Sequence, residues 1–336
     1  MPFHPPPPLP LAPLPLSDLA RRSGLMLRGP DREIGAFDYI DAAPHIAPVQ
    51  LTFAASAAYL ARCAERGIAA CVTTAELAPI AAPGLSVLVA KGDPADDFYS
   101  LFAALASEGR WQAVPSSRGR DVTIAATAVV HDSVSIGDGC RIMDHAVLLP
   151  NTRLGDRVVV KPGAVIGGDG LEVRRIDGRR RVVPHVGGVW LEDDVEIGSQ
   201  TCVDRGLFGE FTFVSAGSKI DNLVHVAHRV TIGPECTVVA CAEVSGSVTL
   251  GAGVWLGPNA SVNQQLHLGD FAFIGTGSVV TRSLGAHALA FGSPARQKGW
   301  ICRCRKPLEV LEGGAVCPAC GASFVQVGEA LQERAR

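Results

Sequence analysis

The sequence predicts a mainly β protein: a parallel β-helix flanked by an N-terminal α/β domain and a small C-terminal tail like a zinc ribbon. Three observations predict this fold. An aliphatic residue returns at every sixth position through most of residues 124–280, a mixed helix and strand pattern precedes the repeat, and four cysteines in two close pairs follow it. A period of six fits neither an α-helix nor an alternating strand, and is typical of short strands that coil around an apolar axis.

The repeat has 23 aliphatic rungs in blocks of eight, three and twelve, separated by breaks at 167–188 and 204–213. The rungs are Ile124, Val130, Ile136, Ile142, Leu148, Leu154, Val160, Ile166, Leu191, Ile197, Val203, Val214, Ile220, Val226, Ile232, Val238, Val244, Leu250, Leu256, Val262, Leu268, Ile274 and Val280. Because three hexads make one coil, residues 18 apart are expected to touch on successive coils. The 23 rungs therefore predict between seven and eight coils.

Four segments are predicted along the chain: a disordered tail at 1–16, an α/β domain at 17–117, the β-helix at 118–296 and a four-cysteine tail like a zinc ribbon at 297–336. The first sixteen residues contain eight prolines and no basic segment of the kind that begins a signal peptide. In the α/β domain the pattern predicts strands at 50–53, 69–73 and 85–89 and helices at 55–66 and from Pro94 onward.

Composition excludes several classes of protein. The net charge of −3 gives no reason to expect a nucleic-acid partner, and the apolar runs are too short to span a bilayer. Six of the ten cysteines are scattered, as expected of small core residues in a reducing compartment. We therefore expect a cytoplasmic protein.

Five segments carry a resemblance to a known family. They are LTFAASAAY at 51–59, GGDGL at 167–171, VPHVGG at 183–188, TCVDRG at 201–206 and KIDNLVHVAHRVTIG at 219–233. With these motifs the chain resembles, over residues 17–280, the UDP-3-O-acylglucosamine N-acyltransferases of lipid A biosynthesis. The resemblance implies a left-handed β-helix, a homotrimer with active sites between subunits, and a nucleotide-linked amino sugar as substrate.

The chain departs from that family in three places. Ser56 stands where the family usually has Asn, and Gln265 stands near the position of a second active-site histidine. The segment SVVTRSLGAHALAFGSPAR at 278–296 instead resembles the closing coil of acetyltransferases that use acetyl-CoA to N-acylate nucleotide-linked amino sugars. A helical C-terminus that contacts acyl carrier protein is not recognisable.

These resemblances predict an N-acyltransferase for cell-surface polysaccharide synthesis, with acetyl-CoA or another short acyl-CoA as donor. One alternative is the lipid A enzyme itself, which takes a 3-hydroxyacyl chain from acyl carrier protein. A second is a non-catalytic β-helix scaffold. A third, a γ-class carbonic anhydrase, would need three converging histidines, which His225, His228 and His267 do not clearly present.

His228 and Gly246 are the candidate catalytic residues. His228 matches the catalytic histidine of the resembling family, and a neutral imidazole can take the proton of an attacking amine. Gly246 lies 18 residues later, so it is expected one coil above His228. A glycine there lets a backbone N–H approach the developing oxyanion, although a tight corner would also favour glycine.

The nucleotide base is expected to bind Phe53 and Tyr59, with Ser56 between them, because the matching segment of the family binds uracil and flat bases stack on aromatic rings. The break at 167–188 also carries arginines, whose forks suit pyrophosphate, although charge runs on loops are usually only solvated. They are Arg174, Arg175, Arg179, Arg180 and Arg181.

The C-terminal tail has the cysteine spacing of a structural zinc site. Cys302 and Cys304 form one close pair, and Cys317 and Cys320 form another twelve residues further on. Four thiolates in two pairs suit tetrahedral zinc, and the alternative is four free thiols in a frayed tail.

Overall fold

In the computed structural model, the residues described are 5–41, 49–176, 178–311 and 313–334. The N-terminal domain contains β1 (Leu14–Pro15), α1 (Leu16–Ser23), β2 (Met26–Arg28), β3 (Glu33–Phe37), β4 (Val49–Ala54), α2 (Ala57–Glu65), β5 (Ala70–Thr73), a 3₁₀ turn (Ala78–Ile80), β6 (Ser86–Val89) and α3 (Pro94–Ser107). The predicted strands and helices of this domain are all present.

The domain is a six-stranded sheet in the order β1-β3-β4-β5-β6-β2. The four central strands are parallel, and β1 and β2 close the edges in antiparallel pairs. Helix α3 begins at Pro94, where the Asp93 side chain accepts a hydrogen bond from the Ala95 N–H and caps the helix. Its apolar face packs Phe98 and Phe102 against Phe37 of β3.

The predicted disordered tail at 1–16 is corrected by the structure for residues 9–16. Leu9, Leu11, Leu14 and Leu16 are all buried. The Leu9 N–H donates to the Gly209 carbonyl at 2.7 Å, and Leu14 pairs with Ile34. Prolines alternate here with leucines that cover apolar surface, and this burial outweighs the lack of backbone donors. Residues 1–4 lie outside the described part.

The predicted β-helix is present as three parallel sheets that form its three faces. The first face contains Ser117–Arg118, Val134–Ile136, Thr152–Leu154, Gly188–Leu191, Phe211–Val214, Thr231–Ile232, Thr249–Leu250 and His267–Leu268. The second contains Thr123–Ile124, Arg141–Ile142, Val159–Val160, Glu196–Ile197, Lys219–Ile220, Thr237–Val238, Trp255–Leu256 and Phe273–Ile274. The third contains Val129–Val130, Val147–Leu148, Val165–Gly168, Cys202–Asp204, His225–Val226, Glu243–Val244, Ser261–Val262 and Val279–Val280.

The rungs form the apolar axis. All but the first two predicted rungs are buried, and Ile124 and Val130 pack against the same core at its open end. The 18-residue rule holds along the main run, as in the pairing of Val226 with Val244. After each of the two breaks, the next rung still stacks on the rung one coil below. The breaks therefore do not disturb the stacking of the rungs.

The two breaks join the β-helix to the N-terminal domain. The first folds as a hairpin of Val173–Ile176 and Arg179–Val182 that packs against α3. Ile176 of the first break and Phe208 of the second are buried in the core of the N-terminal domain. The α/β domain is therefore held over one edge of the β-helix by insertions from the coil.

The tail continues the β-helix. Ala288–Phe291, Arg296–Ile301 and Pro307–Leu308 extend the second face, and Gly314–Val316, Ser323–Val327 and Ala330–Glu333 form a separate antiparallel sheet. The boundary predicted at 297 thus falls inside a strand. No helix in the described ranges is long and apolar enough to cross a membrane.

Candidate active site

A cavity of about 810 Å³ lies between the two domains, and four of the five predicted catalytic and base-binding residues line it. Phe53 and Tyr59 line it from the N-terminal domain, while His228 and Gly246 line it from the β-helix. These residues are far apart in sequence and meet because the hairpin holds the α/β domain over the coil. Their shared cavity is the central feature of the site.

His228 occupies the corner that follows the strand His225–Val226, and the coil turns at Arg229, whose φ is +62°. The imidazole is partly buried, and its Nδ1 has no hydrogen-bond partner among the described residues. Burial, together with smaller contributions from the neighbouring His185, Arg229 and His225, lowers the pKa of His228 to about 4. The side chain is therefore neutral at pH 7, with a lower pKa than its residue type suggests.

Gly246 stacks over His228 as the 18-residue rule predicts. A Cβ atom at Gly246 would lie 3.2 Å from His228 Nε2 and 3.4 Å from Cε1. The left-handed corner conformation is taken by Ser247, with φ +61°, and not by Gly246. The close approach of the imidazole, and not backbone strain at a corner, is what favours glycine here.

Among the predicted base-binding residues, Tyr59 and Phe53 face the cavity differently. Tyr59 is 47% exposed at its rim, whereas Phe53 packs its ring 5.1 Å from that of Phe98 and belongs partly to the core. Ser56 does not line the cavity: its hydroxyl accepts a hydrogen bond from the Tyr59 N–H and caps α2. Helix capping uses one acceptor site of the Ser56 hydroxyl, and its contact with the base stays a prediction.

Only one of the five loop arginines reaches the cavity. Arg174 lines it, with its guanidinium 5.0 Å from the centre of the Tyr99 ring and paired with Glu172 at 2.5 Å. Arg179, Arg180 and Arg181 are exposed on the outer strand of the hairpin. Of the five arginines, Arg174 is therefore the one that remains a candidate for binding pyrophosphate.

The structure brings three further groups to His228 that sequence reasoning did not single out. A Cβ atom at Gly170 would lie 2.8 Å from His228 Cδ2, 3.0 Å from His185 Nε2 and 3.3 Å from Asp204 Oδ2. The rings of His185 and His228 meet edge to face, with centroids 5.2 Å apart. His185 lies in VPHVGG and Asp204 in TCVDRG, so these motifs were the available signal.

Arg229, beside His228, anchors the domain interface. Its Nη1 lies 2.9 Å from Asp38 Oδ1 and 3.3 Å from Glu210 Oε1, and its guanidinium covers the Tyr39 ring at 5.1 Å. Burial opposes the charge, but Glu210 and Asp38 outweigh it and raise the pKa of Arg229. A paired cation of this kind fixes the coil corner that carries the histidine.

The four tail cysteines are brought together as predicted. The Sγ atoms of Cys302, Cys304, Cys317 and Cys320 all lie within 4.8 Å of one another. Two of the sulfur pairs, Cys302 with Cys320 and Cys304 with Cys317, are 3.5 Å apart. A tetrahedron with zinc–sulfur bonds of about 2.3 Å has edges of about 3.8 Å, so the donor set fits this metal.

Comparison with known proteins agrees with the repeat. Residues 133–168 match the family model described as bacterial transferase hexapeptide (six repeats). Residues 133–168 thus match part of the predicted repeat. This protein is 37% identical over 164 residues to UDP-3-O-acylglucosamine N-acyltransferase of Wolinella succinogenes, covering 48% of this chain and 51% of the relative. The enzyme of the same name from Caulobacter sp. (strain K31) is 44% identical over 151 residues, covering 44% of each chain.

This chain spans about half the length of these curated relatives. Among solved structures, UDP-N-acetylglucosamine acyltransferase from Campylobacter jejuni matches with a TM-score of 0.50 and 22% identity, over 55% of this chain and 71% of that chain. The corresponding enzyme of Bacteroides fragilis 9343 has a TM-score of 0.50 and 24% identity over the same shares. The structural likeness concerns the fold, the left-handed parallel β-helix that was predicted.

Proposed function

We propose that the protein is an N-acyltransferase that moves an acyl group from a thioester to the amine of a UDP-linked glucosamine. The observation that carries the proposal is the shared cavity, which is lined by Tyr59, His228 and Gly246. An aromatic rim suits a nucleotide base, and a neutral imidazole under a backbone N–H suits acyl transfer.

The reaction is assigned to these residues as follows. The amine nitrogen attacks the thioester carbonyl carbon, and His228 takes a proton from nitrogen as the N–C bond forms. The Gly246 N–H, which donates no hydrogen bond to the described residues, holds the tetrahedral oxyanion. When the C–S bond breaks, the imidazolium returns its proton to the thiolate sulfur. His228 thus ends the cycle neutral, as its lowered pKa requires.

The relatives favour one acceptor and leave the donor to experiment. These relatives are named for UDP-3-O-acylglucosamine, the acceptor of the lipid A enzyme, and we propose this acceptor class here. The donor expected first, acetyl-CoA, rests on the closing coil at 278–296 alone. We propose an acyl thioester as donor, carried by coenzyme A or by acyl carrier protein.

Zinc and a homotrimer complete the proposal. When bound by Cys302, Cys304, Cys317 and Cys320, zinc would supply a tetrahedral cross-link in the tail and no chemistry at His228. A trimer is the assembly implied by the resembling family, and light scattering of the full chain should give a mass near three chains.

The proposed function is tested by incubating the protein with UDP-3-O-acylglucosamine and each donor in turn. The donors are acetyl-CoA, a 3-hydroxyacyl-CoA and 3-hydroxyacyl carrier protein, and the product is the N-acyl nucleotide sugar detected by mass spectrometry. Product with any donor supports the proposal. If the UDP sugar binds but no donor gives product, the non-catalytic β-helix scaffold becomes the favoured interpretation.

A further inference from the structure

Asp204 is a buried carboxylate that the reaction assigned above does not use. The side chain ends the strand Cys202–Asp204, the residue is only 8% exposed, and it lines the cavity. No hydrogen bond reaches its oxygens from any residue in the described ranges, and His225 Nε2 lies 3.5 Å from Oδ2. A buried carboxylate is costly unless it is well paired, and the exposed His225 at 3.5 Å is a weak partner, so a cationic ligand would stabilise Asp204.

The position of Asp204 indicates which part of the ligand it contacts. Val203 pairs with Val226, so Asp204 lies one coil below the corner that bears His228. Asp204 Oδ2 and His228 Cδ2 both flank Gly170, where a Cβ atom would lie 3.3 Å from the first and 2.8 Å from the second. The carboxylate therefore lies beside the imidazole that receives the proton of the attacking group.

The neighbouring charges compensate Asp204 only in part, because burial raises the pKa of this carboxyl by more than the interaction with His225 lowers it. Arg205, the next residue, turns away and pairs with Asp169, which is exposed outside the cavity. His225 is exposed, and the remaining neighbours around Gly170, His185 and His228, are imidazoles whose pKa values burial lowers. At neutral pH these two rings carry no charge. A cationic group of the substrate would therefore complete the pairing of this carboxylate in the cavity.

We propose that Asp204 binds the acceptor amine in its ammonium form and thereby selects an amino sugar over the matching hydroxyl sugar. The inference rests on the proposed function for the identity of the ligand as a nucleotide-linked amino sugar. An ammonium group makes a charge-assisted hydrogen bond to a carboxylate, whereas a hydroxyl in the same place leaves the buried charge uncompensated. The same cavity with a neutral residue at 204 would lack this discrimination.

The proton balance of the reaction agrees with this assignment. An ammonium group must lose one proton before its nitrogen can attack, and Asp204 Oδ2 takes that proton, while His228 takes the second as the N–C bond forms. Burial raises the pKa of Asp204 to about 6, which makes it a stronger base than an ordinary aspartate. His228 protonates the leaving thiolate, Asp204 releases its proton to water, and the reaction frees one proton overall.

The test compares two ligands that differ only in this group, UDP-glucosamine and UDP-glucose, by calorimetry on the full chain at pH 7. The wild-type protein should bind UDP-glucosamine about 10- to 100-fold more tightly, the range of a hydrogen bond between charged groups. Asp204→Asn should lose that preference and keep its affinity for UDP-glucose, which also shows that the variant is folded. Asp169→Asn, which removes a nearby exposed carboxylate, should keep the preference.

A measurement on the wild-type protein tests the inference even if the Asp204→Asn variant fails to fold. The preference for UDP-glucosamine should shrink as the pH rises through the pKa of its amine, because the ammonium form disappears. Equal affinities of the wild-type protein for the two sugars, or a preference that survives Asp204→Asn, would overturn the inference. If the protein prefers UDP-glucosamine but transfers no acyl group, the proposed function is wrong, whereas the inferred amine site is still supported.

Discussion

Gly246 lies directly over His228, one coil further along the β-helix. A side-chain carbon at Gly246 would come within 3.2 Å of His228 Nε2, and the Ser247 N–H donates to the His228 carbonyl at 3.1 Å. The glycine therefore leaves open the space on the side of the imidazole where an acyl carbonyl would have to sit. Both residues belong to corners of the same face of the coil, so the backbone holds their spacing.

Replacing His228 should remove activity without unfolding the protein. His228→Asn is expected to lower kcat by roughly 10²–10⁴, the range of a general base, while binding of the UDP sugar changes little. Steady-state kinetics and calorimetry measure the two effects. The matched control is His225→Gln, which removes the exposed imidazole of the same strand and should be much milder. If His225→Gln is the inactive variant, the assignment of the base is wrong.

Gly246→Ala tests the stacking relationship itself. The added methyl group would press on the imidazole at a distance tighter than most side-chain contacts, so kcat should fall by roughly tenfold or more through displacement of the base. Gly92→Ala is the control, because a Cβ atom at Gly92 meets no other atom within 4 Å. Wild-type kcat in Gly246→Ala would contradict the close stacking of Gly246 on a catalytic His228.

The pH dependence should reflect a histidine that resists protonation. Burial lowers the pKa of His228 to about 4, so its NMR signals should titrate near that value and not near 6.5. The unfolded chain binds this proton at higher pH, so the contribution of His228 to stability is present above about 6.5 and is lost as the pH falls towards 4. His185→Gln should raise the pKa of His228, since it removes a neighbouring imidazole.

Calorimetric unfolding at several pH values checks the second half of this prediction. His228→Asn removes the titrating group, so its loss of stability between pH 6.5 and 4 should be smaller than that of the wild-type protein. A His228 signal that titrates near 6.5 in the folded protein would show that the imidazole is solvated and would count against the buried base.

Tyr59 is the better probe of base binding, because its ring is exposed while Phe53 supports the core. Tyr59→Ala should weaken binding of the UDP sugar by roughly 1–3 kcal/mol, the scale of one base–aromatic stack. Tyr59→Phe keeps the ring and should bind like the wild-type protein. Calorimetry with the UDP sugar and with the thioester donor separates the cases, since equal losses for both ligands would indicate a general defect.

The tail should hold one zinc ion per chain. The double replacement of Cys317 and Cys320 by serine removes half of the sulfur ligands, so metal should be lost and the tail should lose order. The β-helix has its own apolar axis and should keep its circular dichroism spectrum. The control replaces Cys202 and Cys241, two exposed cysteines of the coil, by serine and should retain the metal. Full metal content in the first variant would refute the site.

The sequence by itself determined the coil. One aliphatic residue in every six has a single efficient way to be buried, and all but the first two of the predicted rungs are buried in the axis. The 18-residue stacking of Gly246 over His228 and the pairing of the tail cysteines followed from spacing, because a regular repeat converts sequence distance into spatial distance.

Only the tertiary structure decided what else surrounds His228. Asp204 and His185 reach it from the ends of two insertions, which obey no repeat and whose path depends on packing against α3. Burial lowers the pKa of His228 and raises that of Asp204, and Gly170 of the first insertion lies against both side chains. The proline-rich segment at 9–16 became ordered for the same reason: its leucines are buried by partners that are distant in the chain.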